Sequence, residues 1–560
     1  MTVNPETLTP EALVPAPETA PAPGLARAAS VIALGNVASR VIGLLRETVK
    51  SDLFGATAHV SAFKVASLVP SQLYDLLIGG MVSSALVPVF SEYLARNERE
   101  ELSRLFSALL TLAVVALAGL LLLLELSAGL IAGVLGAGFT SPDTLQEATN
   151  LLRLVLPAIF FLALSGILTG LLYALKRFTL PAFVPVAFNA TIVVAALTLG
   201  REWGVTSLAA GFLLGAVMQV LLQLPGLHGV RLRPNFNWNH PGLRRIVRLY
   251  LPVIAGLVVT QVSIAIAISL ASHTGDSSIA WMDYATFIFQ FPLGLVATAV
   301  SVAILPTLSR QAALEAAHTP GAAEDFRRTL ANGLRLVLLL IVPATLGLAA
   351  LARPIIGLLY EHGTFTSADA GMTTRVLYYF LLGLIFAAID QPLVFAFYAR
   401  KDTLTPALVG VAGVVIYLGA ALAPLPWRAL QIEDLALANA IQLTSHALIM
   451  VFLIERHLRR EAGHGLTGQG LGMTLLRAGG AALVMAPLAY GTYAAAHSLV
   501  TAYLASWARP FQYALALAPA GAAGLAVYVA ALWIAGTPEL ISARARLAEV
   551  MLRLRGRGAR

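Results

Sequence analysis

About fourteen long apolar stretches run through this 560-residue chain, and they confine it to one class of fold. A run of about 20 mostly apolar residues crosses a ~30 Å hydrocarbon layer as a helix, because in lipid only internal hydrogen bonding satisfies the backbone. The stretches lie near 28–49, 61–92, 105–135, 151–175, 180–199, 204–226, 246–272, 280–308, 332–352, 372–398, 404–424, 432–455, 475–498 and 511–535. They predict an all-α polytopic membrane protein. With 58% hydrophobic and 12% charged residues and a mean hydropathy of +0.80, there is no room for a large aqueous domain. Cysteine is absent, which excludes disulfides and thiolate chemistry. No phosphate-cradling glycine loop, zinc spacing or nucleophile elbow occurs, so neither an enzyme nor a metal or cofactor site is expected.

The net charge of +8 is placed by topology, with no nucleic-acid partner implied. Most of the 37 Lys and Arg residues fall in alternate gaps: Arg27, Arg96 to Arg104, Lys176-Arg177, Arg231 to Arg248, Arg310 to Arg335, Arg400-Lys401, Arg456 to Arg477 and Arg544 to Arg560. The opposite gaps hold only Lys50, Arg153, Arg201, Arg353, Arg375, Arg428 and Arg509. Positive charge stays on the cytoplasmic side, so both termini are expected in the cytoplasm. Residues 1–27 read as a disordered, Pro- and Ala-rich tail, and 227–245 as a cytoplasmic linker between halves. Residues 540–560 read as a basic tail lying along anionic headgroups.

The halves are repeats. Ala85-Leu-Val-Pro-Val-Phe-Ser91 closes span 2 and Ala303-Ile-Leu-Pro-Thr-Leu-Ser309 closes span 8, an offset of 218. Leu172 to Val186 matches Phe397 to Val411 at an offset of 225, in the loops joining spans 4–5 and 10–11. Equivalent spans six apart run the same way, so two six-helix lobes (28–226 and 246–455) flank a central cavity. Spans 13 and 14 (475–535) have no partner and are additions.

Polar residues deep in the spans mark that cavity. Arg40 follows about ten residues of span 1, roughly 15 Å, and an unpaired charge there costs on the order of 3 kcal/mol. Arg46 is nearer the outer end, and Lys64 near the outer start of span 2, where a long side chain also reaches the interface by snorkelling. Asp75 is about 21 Å into span 2 and on the same face as Lys64, three turns on. Gly79 and Gly80 follow it, with Pro70 one turn before, and read as a hinge or as a close-packing surface. Span 8 offers Asp283 and Gln290 on one face, before Pro292 and Gly294; Asp390-Gln391-Pro392 lies toward the inner end of span 10.

Ser39-Arg-Val-Ile-Gly-Leu-Leu-Arg-Glu47, Phe54-Gly-Ala56, Ala62-Phe63 and Val87-Pro-Val-Phe-Ser-Glu-Tyr93 resemble the opening signature of the MurJ/MviN family. The resemblance continues through Trp281-Met-Asp-Tyr-Ala285, Phe291-Pro292, Leu305-Pro306, His362-Gly-Thr-Phe-Thr366 and Phe397-Tyr398 to Thr405-Pro406. These are the lipid II flippases of peptidoglycan synthesis, in the multidrug/oligosaccharidyl-lipid/polysaccharide exporter superfamily. The resemblance implies an inward-facing cleft with arginines on the pyrophosphate of a lipid-linked glycan, a lipid-tail groove at spans 13–14, and a bacterial inner-membrane location. Two of the family's essential arginines correspond to Arg40 and Arg46. Its span-2 arginine pair falls on Tyr74 and Asp75, its span-8 arginine on Phe287, its span-2 aspartate on Ser61 and a nearby glutamate on Gly79. Asp75 repels an anion unless paired, and Lys64 restores one positive charge on that face. The implied activity is alternating-access flipping of lipid II or a similar polyprenyl-pyrophosphate glycan, coupled to Na⁺, H⁺ or the membrane potential. A cation-coupled exporter of amphiphiles and a non-transporting scaffold are the alternatives. Membrane lipids and the glycan are the expected partners of a monomer, with cell-wall synthesis proteins as the protein class.

Overall fold

The computed structural model describes residues 23–76, 80–229, 233–461 and 463–539, and those residues form an all-helical bundle. The N-lobe comprises α1 (Pro23–Phe54), α2 (Ala58–Tyr74), α3 (Val87–Ala95), α4 (Arg99–Leu135), α5 (Pro142–Val155), α6 (Ala158–Ala174), α7 (Thr179–Trp203) and α8 (Thr206–Gln223). The C-lobe comprises α9 (Pro241–Ser272), α10 (Ser278–Pro292), α11 (Thr298–Ala316), α12 (Ala322–Tyr360), α13 (Ser367–Ala399), α14 (Leu404–Leu422) and α15 (Ile432–Glu461). Helices α16 (Leu471–Tyr503) and α17 (Arg509–Ile534) pack on each other and on α12.

Large apolar side chains point outward all round, as on α4, where Leu122, Leu123, Leu126 and Leu130 are exposed. A soluble protein does not present such a surface; a lipid-facing one does. Among the described residues eleven helical segments are long and apolar enough to cross a membrane, against the fourteen expected. The other three expected spans fall on α1, on the interrupted α2–α3 and on α9. Helix α1 begins at Pro23, inside the stretch expected as tail, and α9 begins at Pro241, inside the expected linker. Residues 1–22, Gly79 and 540–560 lie outside the described residues.

The internal repeat is visible in the backbone. All four non-glycine residues with positive φ among the described residues form two pairs: Asn97 and His318 (61° and 54°), Lys176 and Lys401 (60° and 62°). Each ends a helix with the same two crossed bonds. Asn97 N donates to Leu94 O and Glu98 N to Tyr93 O; His318 N donates to Glu315 O and Thr319 N to Leu314 O. Lys176 N donates to Tyr173 O and Arg177 N to Leu172 O; Lys401 N donates to Tyr398 O and Asp402 N to Phe397 O. This Schellman-type ending satisfies carbonyls left over by the helix and sets the angle of the next one.

The lobes meet at the charge-poor end through hydrogen bonds that reach backbone groups. Thr364 N donates to Asp52 O (2.9 Å), Tyr284 Oη to Gly55 O (2.9 Å) and Ala280 N to Ser61 Oγ (3.2 Å). Asp276 accepts from Thr140 N and Oγ1 (2.8 and 2.7 Å). At Gly138 a Cβ would lie 2.3 Å from His273 N, backbone against backbone, so no side chain fits. At the same end Glu361 ties α12 to α17: it accepts from Arg353, from Tyr513 Oη (3.2 Å) and from Arg509 (3.4 Å). Burial pushes the Glu361 carboxyl up, but the Arg353 guanidinium bonded to it outweighs this and holds it below the ordinary value.

Two outcomes follow from these contacts. In this cysteine-free chain Ser61→Cys with Ala280→Cys is expected to form a disulfide under mild oxidant, and adding Gly138→Leu to suppress it; a pair that never cross-links contradicts the junction. Glu361→Gln is expected to lower the melting temperature near neutral pH. Its native carboxyl titrates below its unfolded value of about 4.3, so the stabilisation is present above that pH and fades as pH falls through the native value. A gap between wild type and variant that stays constant from neutral pH to below about pH 4 contradicts this reading.

Candidate functional site: a basic cavity between the lobes

Helix α1 supplies most of the charge. Arg40 and Glu47 are seven residues apart, two turns, and share a face; Lys50 follows one turn later. This face looks into two adjoining hollows of 520 and 230 Å³ that share Arg46, Phe287 and Gln290 and so form one cavity. Arg40, Asn189, Gly294, Thr298 and Gln391 line the wider part. Lys50, Lys64, Ser67, Ser71 and Asp283 line the narrower part, toward the sealed end.

A chain of alternating charges crosses from one lobe to the other. Arg46 Nη2 donates to Glu47 Oε1 (2.6 Å), and Glu47 also pairs with Lys50. Lys50 Nζ reaches Asp283 Oδ2 (2.8 Å), and Lys64 Nζ reaches Asp283 Oδ1 (2.5 Å). Glu47 and Lys50 are buried, and Lys50 also lies 4.5 Å from the centre of the Tyr284 ring. Buried charges persist only when paired in this way. Arg46 Nη1 donates to Asn189 Oδ1 (2.9 Å), and that amide is oriented by its own bond to Pro185 O (2.9 Å).

Arg40 is different. It is exposed to the cavity and has no carboxylate or amide partner among the described residues. Its guanidinium rests against Gly294, where a Cβ would come within 2.3 Å of Nη2. That glycine belongs to a π-helical turn, Leu293–Ala297, between α10 and α11. Span 2 is interrupted likewise: α2 stops at Tyr74, Gly80 lies in a turn and Val82–Leu86 is π-helical before α3. In the C-lobe the interruption is part of the cavity wall, whereas in the N-lobe it follows the lining residues Lys64, Ser67 and Ser71.

With Arg40, Arg46, Lys50 and Lys64 against Glu47 and Asp283, the cavity carries two positive charges in excess. A low-dielectric chamber holding an unpaired, fork-shaped guanidinium fits a phosphate or pyrophosphate.

Of the residues expected from sequence, Arg40, Arg46, Lys64, Asp283 and Gln290 meet on this one cavity. Lys64 does not snorkel to an interface: it is bound to Asp283. Asp75 continues the stripe of Lys64, Ser67 and Ser71 but lies beyond the lining and is exposed. Gly80 approaches α9, a Cβ there meeting Val253 Cγ1 at 2.5 Å, while Gly79 is outside the described residues. Sequence reasoning missed Glu47, Lys50 and Asn189. Lys50 falls at an apolar boundary and reads as topogenic; its three-residue spacing from Glu47 is the signal that identifies it.

Asp283→Asn removes the carboxylate between two ammonium groups and is expected to destabilise the fold by about 3 kcal/mol. Asp75→Asn, at an exposed position, is expected to change the detergent melting temperature little. Equal effects contradict the interlobe chain.

A family model described as "Lipid II flippase MurJ" matches residues 50–507. A probable lipid II flippase MurJ of Haemophilus influenzae is 31% identical over 425 residues, covering 74% of this chain and 82% of that one. The lipid II flippase MurJ of Burkholderia cenocepacia is 31% identical over 387 residues, covering 68% and 74%. A solved lipid II flippase MurJ in an inward closed conformation superposes with a TM-score of 0.73 at 23% identity, over 91% of this chain and 99% of that one. An inward-facing MATE transporter of the MOP superfamily superposes with a TM-score of 0.63 at 14% identity, over 76% and 96%, sharing the fold. The chain belongs to the MurJ lipid II flippase family.

Proposed function

We propose that the protein moves a lipid-linked peptidoglycan precursor, lipid II, across the membrane, as the names of its relatives state for them. It is a transporter and not an enzyme. The observation that carries this reading is Arg40, without a carboxylate or amide partner among the described residues, in a chamber with excess positive charge that the lobe junction closes at one end.

Arg40 is the primary phosphate ligand. Arg46 already has its donors on Glu47 and Asn189, so it holds the shape of the chamber and adds field. Lys64 and Asp283 close the narrow end, and Gln290 presents a neutral amide where both parts meet. Asp75 stands outside the binding set. The bacterial inner membrane is the location, with both termini cytoplasmic as the charge bias requires. The sealed end then faces outward, and substrate enters from the cytoplasmic leaflet. The polyprenyl tail lies along α16 and α17, which pack on each other and on α12, and a coupling cation or the membrane potential returns the lobes.

Arg40→Ala is expected to weaken binding of a polyprenyl-pyrophosphate glycan by about tenfold or more, the value of one charged hydrogen bond, with melting temperature unchanged. Arg40→Lys is expected to recover part of the loss. Rescue of flippase-depleted cells by Arg40→Ala at wild-type level, with wild-type flipping, overturns the reading.

A further inference from the structure

Across α13 and α15, and separate from the charge chain, His446 Nδ1 and Asp390 Oδ1 lie 2.9 Å apart. Their side chains are 17% and 19% exposed. Asp390 is nine residues before the end of α13, roughly 14 Å along the helix, so the pair lies at membrane depth.

The repeat supplies the control. Subtracting the 225-residue offset from Asp390 gives Ser165, and His446 lies 223 residues after Gln223, on the equivalent helices α6 and α8. There Gln223 Nε2 donates to Ser165 Oγ (2.7 Å), and Ser165 Oγ to Gln219 Oε1 (3.0 Å). The same helix pair is thus bridged at the same level in both lobes. The N-lobe bridge is neutral and buried; the C-lobe bridge is ionisable and partly open.

The nearest other ionisable group among the described residues is Tyr398, the penultimate residue of α13, within electrostatic reach of Asp390. On the elements packed around the pair, α9 has no ionisable side chain between Tyr250 and His273, and α11 none before Arg310. Helix α12 has none between Arg335 and Arg353, and α14 only Tyr417. Asp283 on α10 is held by its two lysines. On α15 the next ionisable groups are Asp434 and Glu455, and on α13 Tyr379 and Tyr398. A carboxylate at this depth without a cation is costly, and histidine is the side chain whose charge changes near neutral pH. His446 Nε2 and Asp390 Oδ2 carry no protein hydrogen bond among the described residues and are not among the buried unpartnered atoms, so both are open to a further partner. The neighbouring Gln391 lines the cavity, and its Oε1 accepts from Thr298 Oγ1 (3.2 Å), just after the π-turn that holds Gly294 against Arg40.

We propose that Asp390 and His446 form a proton-binding site of the C-lobe, one residue from the substrate chamber, which makes transport sensitive to protons. This rests on the transport reading above for its consequence but not for the site itself.

The test separates the two. In the full chain labelled with ¹³C-histidine, the resonance that disappears in His446→Gln is expected to shift with pH, and Asp390→Asn to lower its midpoint by about one pH unit or more. Asp390→Ser with His446→Gln, which copies the N-lobe bridge, is expected to fold, to bind a fluorescent polyprenyl-pyrophosphate glycan as wild type does, and to lose the pH dependence of flipping in proteoliposomes. A His446 resonance that does not titrate, a midpoint unmoved by Asp390→Asn, or an unchanged flipping profile in the double variant overturns the proposal. Wild-type protein that titrates at His446 yet flips nothing supports the site and defeats the transport reading instead.

Discussion

The structure depends on a line of five charges, Arg46, Glu47, Lys50, Asp283 and Lys64, laid across the seam between two lobes. In a low-dielectric interior each member is tolerable only because its neighbours are in place, so the line works as a single element. It joins α1 and α2 of one lobe to α10 of the other at the point where the backbone junction seals the bundle. Because cations outnumber carboxylates, the line that closes the seam also sets the sign of the field in the chamber. In the proposed reading, closure and the field that attracts the anion toward Arg40 thus share residues, which would couple what is bound to how the lobes stand.

Much of this was legible in the sequence. Long apolar stretches located the helices, and short identities at offsets of 218 and 225 exposed the repeat. Depth singled out Arg40 and Asp75, because lipid does not tolerate them without a reason, whereas Arg46 rested on the family resemblance and Asp283 on sharing a face with Gln290. Other features were hidden for physical reasons. A lysine at an apolar boundary reads as a topology signal wherever it points, so Lys50 looked ordinary. Spacing placed Asp75 on the right stripe of α2, but a stripe says nothing about where a cavity ends. His446, a lone histidine in an apolar helix, acquires meaning only beside Asp390, a pairing that 56 residues of sequence separation conceal. The repeat held the missing clue, since Ser165 and Gln223 already bridge the equivalent helices.

The two lobes show which features a duplicated membrane fold retains. Side chains have diverged almost everywhere, whereas the left-handed helix endings at Asn97 and His318, and at Lys176 and Lys401, keep the same bond pattern. Endings of this kind fix the direction of the following helix, and direction is what two similar lobes must preserve to enclose a cleft. Function has entered through unequal substitution on that common frame: charge on α1 and α2, an ionisable bridge in the second lobe, and two extra helices beside α12.

The π-helical turn at Leu293–Ala297 carries one more residue than an α-helical path would need. Deleting a single residue there would leave a continuous helix of ordinary geometry. The π-turn absorbs that residue locally, so side chains after it face as they would in an uninterrupted helix one residue shorter. Winding the turn as an α-helix with the residue kept would instead rotate everything after it by about 100° and carry Thr298 off the chamber wall. The lining of this chamber is therefore specified by backbone winding as much as by residue identity, and a change of winding at this one turn would alter the site without touching a charged residue.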